Sequence, residues 1–189
     1  MRNIRNTAIL AALLLLPPIS GHCAGGRNGE RRNEFELSMG ATIGTYAVEE
    51  MKNWPFLSFS FEWRHLFLDG ALAGGVEGYL SAVPRHVLWE HLEHEADYYS
   101  WRNLSTSLTA EYRPFREGLN PFFGAAVGVT QTDDSAPHWI APDRGVLGLM
   151  VAPRIGIQPF RHFRLTAEFR WIPGAPEFNQ VGTRIGFVF

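Results

Sequence analysis

The sequence predicts an all-β protein, an eight-stranded antiparallel up-and-down transmembrane β-barrel. Three observations predict it: apolar residues recur at every second position through eight runs, the connections between runs alternate short and long, and aromatic residues gather at the run ends. Period two is the mark of a strand whose two faces meet different surroundings. The 189 residues suffice for one domain with a sizeable interior.

The runs follow one another with the same alternation. In Phe35–Tyr46, Phe35, Leu37, Met39, Ala41 and Ile43 oppose Glu36, Ser38, Gly40, Thr42 and Gly44. In Phe56–Arg64, Leu57, Phe59, Phe61 and Trp63 oppose Ser58, Ser60, Glu62 and Arg64. Gly70–Ser81 sets Leu72, Val76 and Leu80 against Ala71, Glu77, Tyr79 and Ser81. In the fourth run Leu104, Thr106, Leu108, Ala110 and Tyr112 oppose Ser105, Ser107, Thr109, Glu111 and Arg113. In the fifth, Phe123, Ala125, Val127 and Val129 oppose Gly124, Ala126, Gly128 and Thr130. The sixth sets Leu147, Leu149, Val151, Ile155 and Ile157 against Gly148, Met150, Ala152, Arg154 and Gly156. "RLTAEFRW" (164–171) is the seventh, and Val181, Thr183, Ile185, Phe187 and Phe189 oppose Gly182, Arg184, Gly186 and Val188 in the last. Pro153 removes a ladder hydrogen bond from the sixth run. Because alternation resumes in phase at Ile155, it predicts a local distortion near the periplasmic end without a slip of register.

A soluble β-sandwich also alternates, with its apolar face as the core. The connections argue for the membrane. They are short near His65–Asp69, Pro114–Asn120 and Gln158–His162, and long near Ala47–Trp54, Val83–Ser100, Thr132–Arg144 and Pro173–Asn179. Short periplasmic turns and long outer loops are the pattern of outer-membrane barrels. Trp54, Tyr98, Tyr99, Trp101, Trp139 and Trp171 fall on the loop side, and Phe35, Trp63, Tyr112, Phe115, Phe160, Phe163 and Phe189 on the turn side. Two such belts suit two lipid–water interfaces. The chain stops on "GTRIGFVF", and its Ile185, Phe187 and Phe189 resemble the C-terminal signal by which outer-membrane barrels are recognised for assembly.

Residues 1–24 read as an export signal: Arg2 and Arg5 precede the apolar "AILAALLLL" (8–16), and Pro17 and Pro18 end it. Gly21, Cys23, Ala24 and Gly25 leave the cleavage position open. The apolar core spans about half a bilayer as a helix, too little for an anchor. His22 stands where a lipoprotein signal has a small residue, and Cys23 is the only cysteine, so the mature chain forms no internal disulfide. Residues 25–34 form a polar periplasmic linker and 35–189 the barrel. Lys52 is the only lysine among 17 basic residues, and a net charge of −2 argues against a nucleic-acid partner.

An eight-stranded barrel has an interior just wide enough to be filled by side chains. Parity points Glu36, Glu62, Glu77, Glu111 and Glu168 inward beside Arg64, Arg113, Arg154, Arg164, Arg170 and Arg184, five acids against six bases. An unpaired buried charge costs about 3–5 kcal/mol, so these groups are expected to pair. The arginine fork, which stays charged and can hold two carboxylates, suits that task. Such a lumen leaves little continuous water path, which argues against a general diffusion porin.

The architecture over roughly residues 35–189 resembles the small eight-stranded outer-membrane barrels, the OmpA transmembrane-domain and OmpX-like group. The resemblance rests on the alternation, the turn asymmetry and the terminal "GFVF". It implies a location in the outer membrane of a Gram-negative bacterium. It also implies outer-membrane lipid and lipopolysaccharide as surroundings, and the barrel-assembly machinery as a partner of the C-terminus. Fold alone carries function weakly.

Candidate chemistry is sparse. In "RHVLWEHLEHEADYY" (85–99), His86, His91 and His94 are weak metal candidates with Glu90, Glu93, Glu95 or Asp97. No helical zinc-protease motif is present there, and a solvated charged loop accounts for the composition. "TDDSAPHW" (132–139) gathers Asp133, Asp134, Ser135 and His138, but triads are assembled in space and seldom from loop neighbours. In small barrels that deacylate lipid A, a His-x-Ser pair lies late in the barrel. The comparable "FRWIPGAPEF" (169–178) has neither residue. The expectation is a non-enzymatic barrel, without cofactor, that supports the envelope and displays loops to an unidentified surface ligand. The alternatives are a lipid A-modifying enzyme and a narrow channel or small-solute conduit.

Overall fold

The computed structural model describes residues 33–44, 55–82, 100–115, 119–135 and 144–189. The strands are β1 (Asn33–Gly44), β2 (Pro55–Phe67), β3 (Leu72–Ala82), β4 (Ser100–Tyr112), β5 (Pro121–Ser135), β6 (Arg144–Phe160), β7 (Phe163–Arg170) and β8 (Gln180–Val188). Each pairs antiparallel with the next, and β8 returns to β1, so all eight strands close one barrel. Closure leaves no edge with unpaired N–H and C=O groups.

The alternation in the sequence becomes the two faces of the wall. Leu108 and Leu147 stand 69% and 73% exposed on the outside. Glu77 and Arg64, on the opposite parity, are fully buried in the lumen. Three connections at one end are short: the 3-10 turn Leu68–Gly70 with Ala71, residues 113–120, and the two-residue turn Arg161–His162. Leu68, Asp69 and Gly70 all have positive φ, at 47°, 52° and 89°, which reverses the chain within three residues. Ala71 therefore belongs to the turn and not to an inward face of β3. β1 begins at Asn33, ahead of the expected boundary at Phe35.

Pro153 does not sit near the turn end, contrary to the sequence expectation, but mid-strand in β6. Its pairing with β5 is continuous from Pro121↔Ile157 to Asp134↔Arg144. On the other side, the β6–β7 ladder stops at Arg154↔Glu168 and reappears as the isolated bridge Val151↔Trp171. The ladder is thus interrupted where Pro153 has no N–H to offer Phe169, and it resumes in the same register. A register shift does occur near the turn end, between Ile157 and Phe160, where Pro159 stands.

Inward glycines make room for large inward side chains. A Cβ at Gly156 would collide with the Phe122 ring and the Leu165 carbonyl, and one at Gly186 with the Glu36 carboxylate. At Gly148 the nearest neighbours lie 3.6 and 3.8 Å away, ordinary contact. Gly156→Ala should therefore destabilise the barrel by about 1–3 kcal/mol through overpacking, whereas Gly148→Ala should be nearly neutral. Reversible unfolding in lipid vesicles measures both, and equal midpoints would disprove the crowding at Gly156.

Candidate functional site

The lumen is the site. Its residues come from alternate positions on all eight strands, and they sort into levels along the axis. At the turn end, Arg113 grips Glu34 with both fork nitrogens, at 3.2 and 2.7 Å. Arg64 lies 2.7 Å from Glu36, 3.4 Å from Glu34 and 3.7 Å from Glu111. Arg164 donates to Glu111, approaches Glu36 at 3.4 Å and stacks 3.5 Å above the Phe122 ring. That stacking needs the space that Gly156 leaves.

At mid-height Arg154 holds both oxygens of Glu62, at 3.1 and 2.7 Å, and reaches Glu111 at 3.1 Å. Thr109 adds a 2.8 Å hydrogen bond to Glu62. Nearer the loop end, Glu77 accepts from Arg170 at 2.9 Å and from Arg184 at 2.6 Å. Glu168 accepts from the same two arginines, each at 2.8 Å. Arg170 also bonds Ser105 at 2.9 Å and lies 3.3 Å over the Tyr79 ring.

Glu34, which the sequence places in the polar linker, is a further partner. Its inclusion changes five acids to six, matching the six inward arginines, and all twelve take part in ion pairs. The signal was present: Glu34 has the same parity as Glu36. The register sets Glu36 opposite Glu62, and Glu62 opposite Glu77, so three carboxylates stand side by side on β1–β3. Four of the arginines that neutralise the acids, Arg154, Arg164, Arg170 and Arg184, come from β6–β8 on the far wall. Arg154 and Glu168 are direct cross-strand neighbours, yet Glu168 pairs with Arg170 and Arg184 while Arg154 turns to Glu62 and Glu111.

Above the ionic levels lies an uncharged polar ring. Tyr79 and Ser81 donate to the Gln180 side-chain oxygen at 3.1 and 3.2 Å, and Thr130 donates to Asn103 at 2.7 Å. The loop end is apolar, which the sequence reading did not foresee. Phe56, Ala126, Met150, Ala152, Ile172, Ala175 and Phe178 form a buried cluster. The connection at 173–179, expected as an outer loop, turns inward. Ile172 N–H donates to Asn179 Oδ1 at 2.8 Å, and the 3-10 turn Pro176–Phe178 brings Phe178 into the barrel mouth.

The remaining candidates lie outside this chamber. Tyr112, Ile185, Phe187 and Phe189 are exposed on the outer face at the turn end, Trp63 is half-buried beside them, and Trp171 is exposed at the loop end. His162 stacks on Phe187 with ring centroids 5.6 Å apart, and Phe189 pairs by backbone with Phe35. Trp54, His86, His91, His94 and His138 fall outside the described residues, as do the side chains of Trp101, Asp133, Asp134 and Ser135. Among the described residues, no group of three His, Cys, Asp or Glu side chains could hold a metal ion.

Glu168→Ala should cost about 3–5 kcal/mol, because it strands buried cations. Combining it with Arg184→Met should cost less than the sum of the single changes, since the two groups share an ion pair. Equilibrium unfolding of the four proteins in vesicles measures the coupling. Strict additivity would contradict the pairing.

No protein-family model matches the chain, and no curated protein sequence matches it. Solved structures do share its shape. Neisserial surface protein A aligns with a TM-score of 0.54 at 11% identity, covering 84% of this chain and 96% of that one. The N-terminal β-barrel domain of Pseudomonas aeruginosa OprF aligns at 0.52 and 12% identity, covering 84% and 98%. The Yersinia pestis outer membrane protein Ail, in a phospholipid bilayer nanodisc, aligns at 0.50 and 12% identity, covering 83% and 99%. At these identities the likeness concerns the fold alone. The closed antiparallel barrel, its length and its strand count give this chain the fold of the small eight-stranded outer-membrane β-barrels.

Proposed function

We propose that the chain is a non-enzymatic outer-membrane barrel with a sealed lumen, acting as an envelope component and as a scaffold that presents its outer loops to a surface ligand. One observation carries this reading. The exposed outer face is apolar from Leu37 on β1 to Phe187 on β8, while six carboxylates and six arginines pair with one another inside. An apolar girdle of this kind suits lipid. Carboxylates clamped by arginines are poorly placed to move protons for a substrate, which supports a role without catalysis. The solved relatives' names place them at the cell surface or in the outer membrane. The edge carrying Ile185, Phe187 and Phe189 is what the assembly machinery reads.

Cell fractionation followed by electrophoresis with and without heating tests location and barrel together. The protein is expected in the outer-membrane fraction, migrating faster unheated. In planar bilayers it should show no large stable open state. Recovery as a soluble protein without heat-dependent migration would overturn the membrane reading, and reproducible porin-sized conductance would overturn the sealed lumen.

The same reading assigns adjacent residues to opposite surroundings. Glu168 is buried and Phe169 is 37% exposed on the outer wall. Phe169→Arg should therefore destabilise the inserted protein by about 2–4 kcal/mol near mid-bilayer, with Phe169→Leu mild. A fluorophore at position 169 should be quenched by brominated acyl chains and one at 168 should not. The reverse pattern would turn the wall inside out.

A further inference from the structure

The polar ring beneath the apolar mouth holds more donors than the protein satisfies. Asn103 Nδ2, Gln180 Nε2, Ser58 Oγ and Thr42 Oγ1 are buried and have no partner among the described residues. Three of them gather around Ser81. Its cross-strand neighbours are Ser58 on β2 and Asn103 on β4, and its hydroxyl donates to the Gln180 amide reaching over from β8. Buried unpartnered amide donors are rare enough to need an explanation. Directly above them stands the apolar cluster. Phe56 precedes Ser58 on the inward face of β2, Ile172 follows Arg170 on the far side, and Phe178 precedes Gln180.

A polar floor under an apolar cup matches a molecule with one polar end and one hydrocarbon chain. The arginines below are already engaged by carboxylates, so no cation is left over for a phosphate head. An eight-stranded lumen is about one side chain wide, enough for one hydrocarbon chain and not two. The wall beside the cup carries the break in the β6–β7 ladder at Ala152–Pro153, with Ala152 facing the cup and Pro153 exposed outside. That break lies in the wall facing the apolar exterior, between the pairs Val151–Trp171 and Arg154–Glu168. The segment now filling the cup is held there by short-range turns, Ala175 N–H to Ile172 and Phe178 N–H to Ala175, with Gly174 at φ 86° between them.

We propose that the loop end of the lumen is a binding site for a long-chain fatty acid in its neutral form. Asn103 and Gln180 receive its carboxyl group. Its chain lies against Phe56, Met150 and Ala152 in place of Ile172 and Phe178, and it comes in from the bilayer through the seam at Pro153. The site rests on the reading of the chain as a membrane-inserted barrel.

The test uses the full protein in lipid nanodiscs with a palmitic acid carrying a diazirine near its chain end. After irradiation, the modified residues are mapped by mass spectrometry, and heat-dependent migration of the same sample reports the barrel. Labelling within 150–152 and 172–178, competed by unlabelled palmitic acid, is the expected result. A folded barrel labelled only at outward positions such as Leu149, Ile155 and Phe169, or without competition, overturns the site while leaving the barrel reading intact. In a folded Asn103→Leu, Gln180→Leu variant, lumen labelling should fall roughly tenfold with the lost hydrogen bonds. Undiminished labelling there would overturn the polar floor. Pro153→Val, which restores an N–H to the ladder, should slow labelling, and an unchanged rate would overturn the route. Should either variant fail to fold, the wild-type map still decides.

Discussion

Everything in this barrel depends on neutralising charge across a lumen one side chain wide. The register aligns Glu36, Glu62 and Glu77 on three adjacent strands. Like charges at directly opposed positions destabilise a sheet, so β1–β3 alone would be an unfavourable hairpin pair. Relief comes largely from Arg154, Arg164, Arg170 and Arg184, which reach these carboxylates and Glu111 only when β6–β8 form the opposite wall. The ion pairs and the closure of the barrel are therefore a single event, because neither half of the network is satisfied in an open sheet.

The choice of arginine follows from that geometry. A guanidinium can hold one carboxylate with two nitrogens, as Arg113 does Glu34, or join two carboxylates, as Arg184 does Glu77 and Glu168. Its flat faces also stack, Arg164 on Phe122 and Arg170 on Tyr79, which fixes where the forks point. Buried pairs of this kind add little net stability over apolar packing, since desolvation offsets the attraction. What they add is registration. A slip of one residue would turn every charge toward the apolar side, so the network forbids the neighbouring pairings.

Parity alone located the charged lumen, because a two-faced wall writes itself into the sequence residue by residue. It could not say which charge meets which. Arg154 and Glu168 look like partners by register, but Arg154 reaches across the lumen to Glu62 and Glu111, contacts that exist only after closure, while Glu168 is taken by Arg170 on its own strand and Arg184 on the next. Glu34 was lost in the polar run "AGGRNGERRN", where composition hides the start of β1 even though its parity is correct. The segment "PGAPEFN" has every mark of an exposed loop. It turns inward because Phe56 and Met150, distant in sequence, offer Ile172 and Phe178 an apolar place that solvent does not. From sequence, Pro153 predicts a distortion near the turn end. The register shift there instead accompanies Pro159, and Pro153 only interrupts one ladder in mid-strand.

The lumen thus changes character along its axis, from paired charges at the turn end, through hydroxyls and amides, to hydrocarbon at the loop end. The two ends oppose different intruders. An ion arriving at the loop end meets Phe56, Ile172 and Phe178, where it would shed its water with nothing to replace it. An apolar molecule that passed this level would meet Arg170, Arg184, Glu77 and Glu168, whose mutual bonds it could break but not replace. On the proposed reading of a sealed lumen, these two dissimilar layers in series would stop solutes that either alone would be less able to stop. Between them, around Ser81, lies a level whose buried polar groups are uncharged.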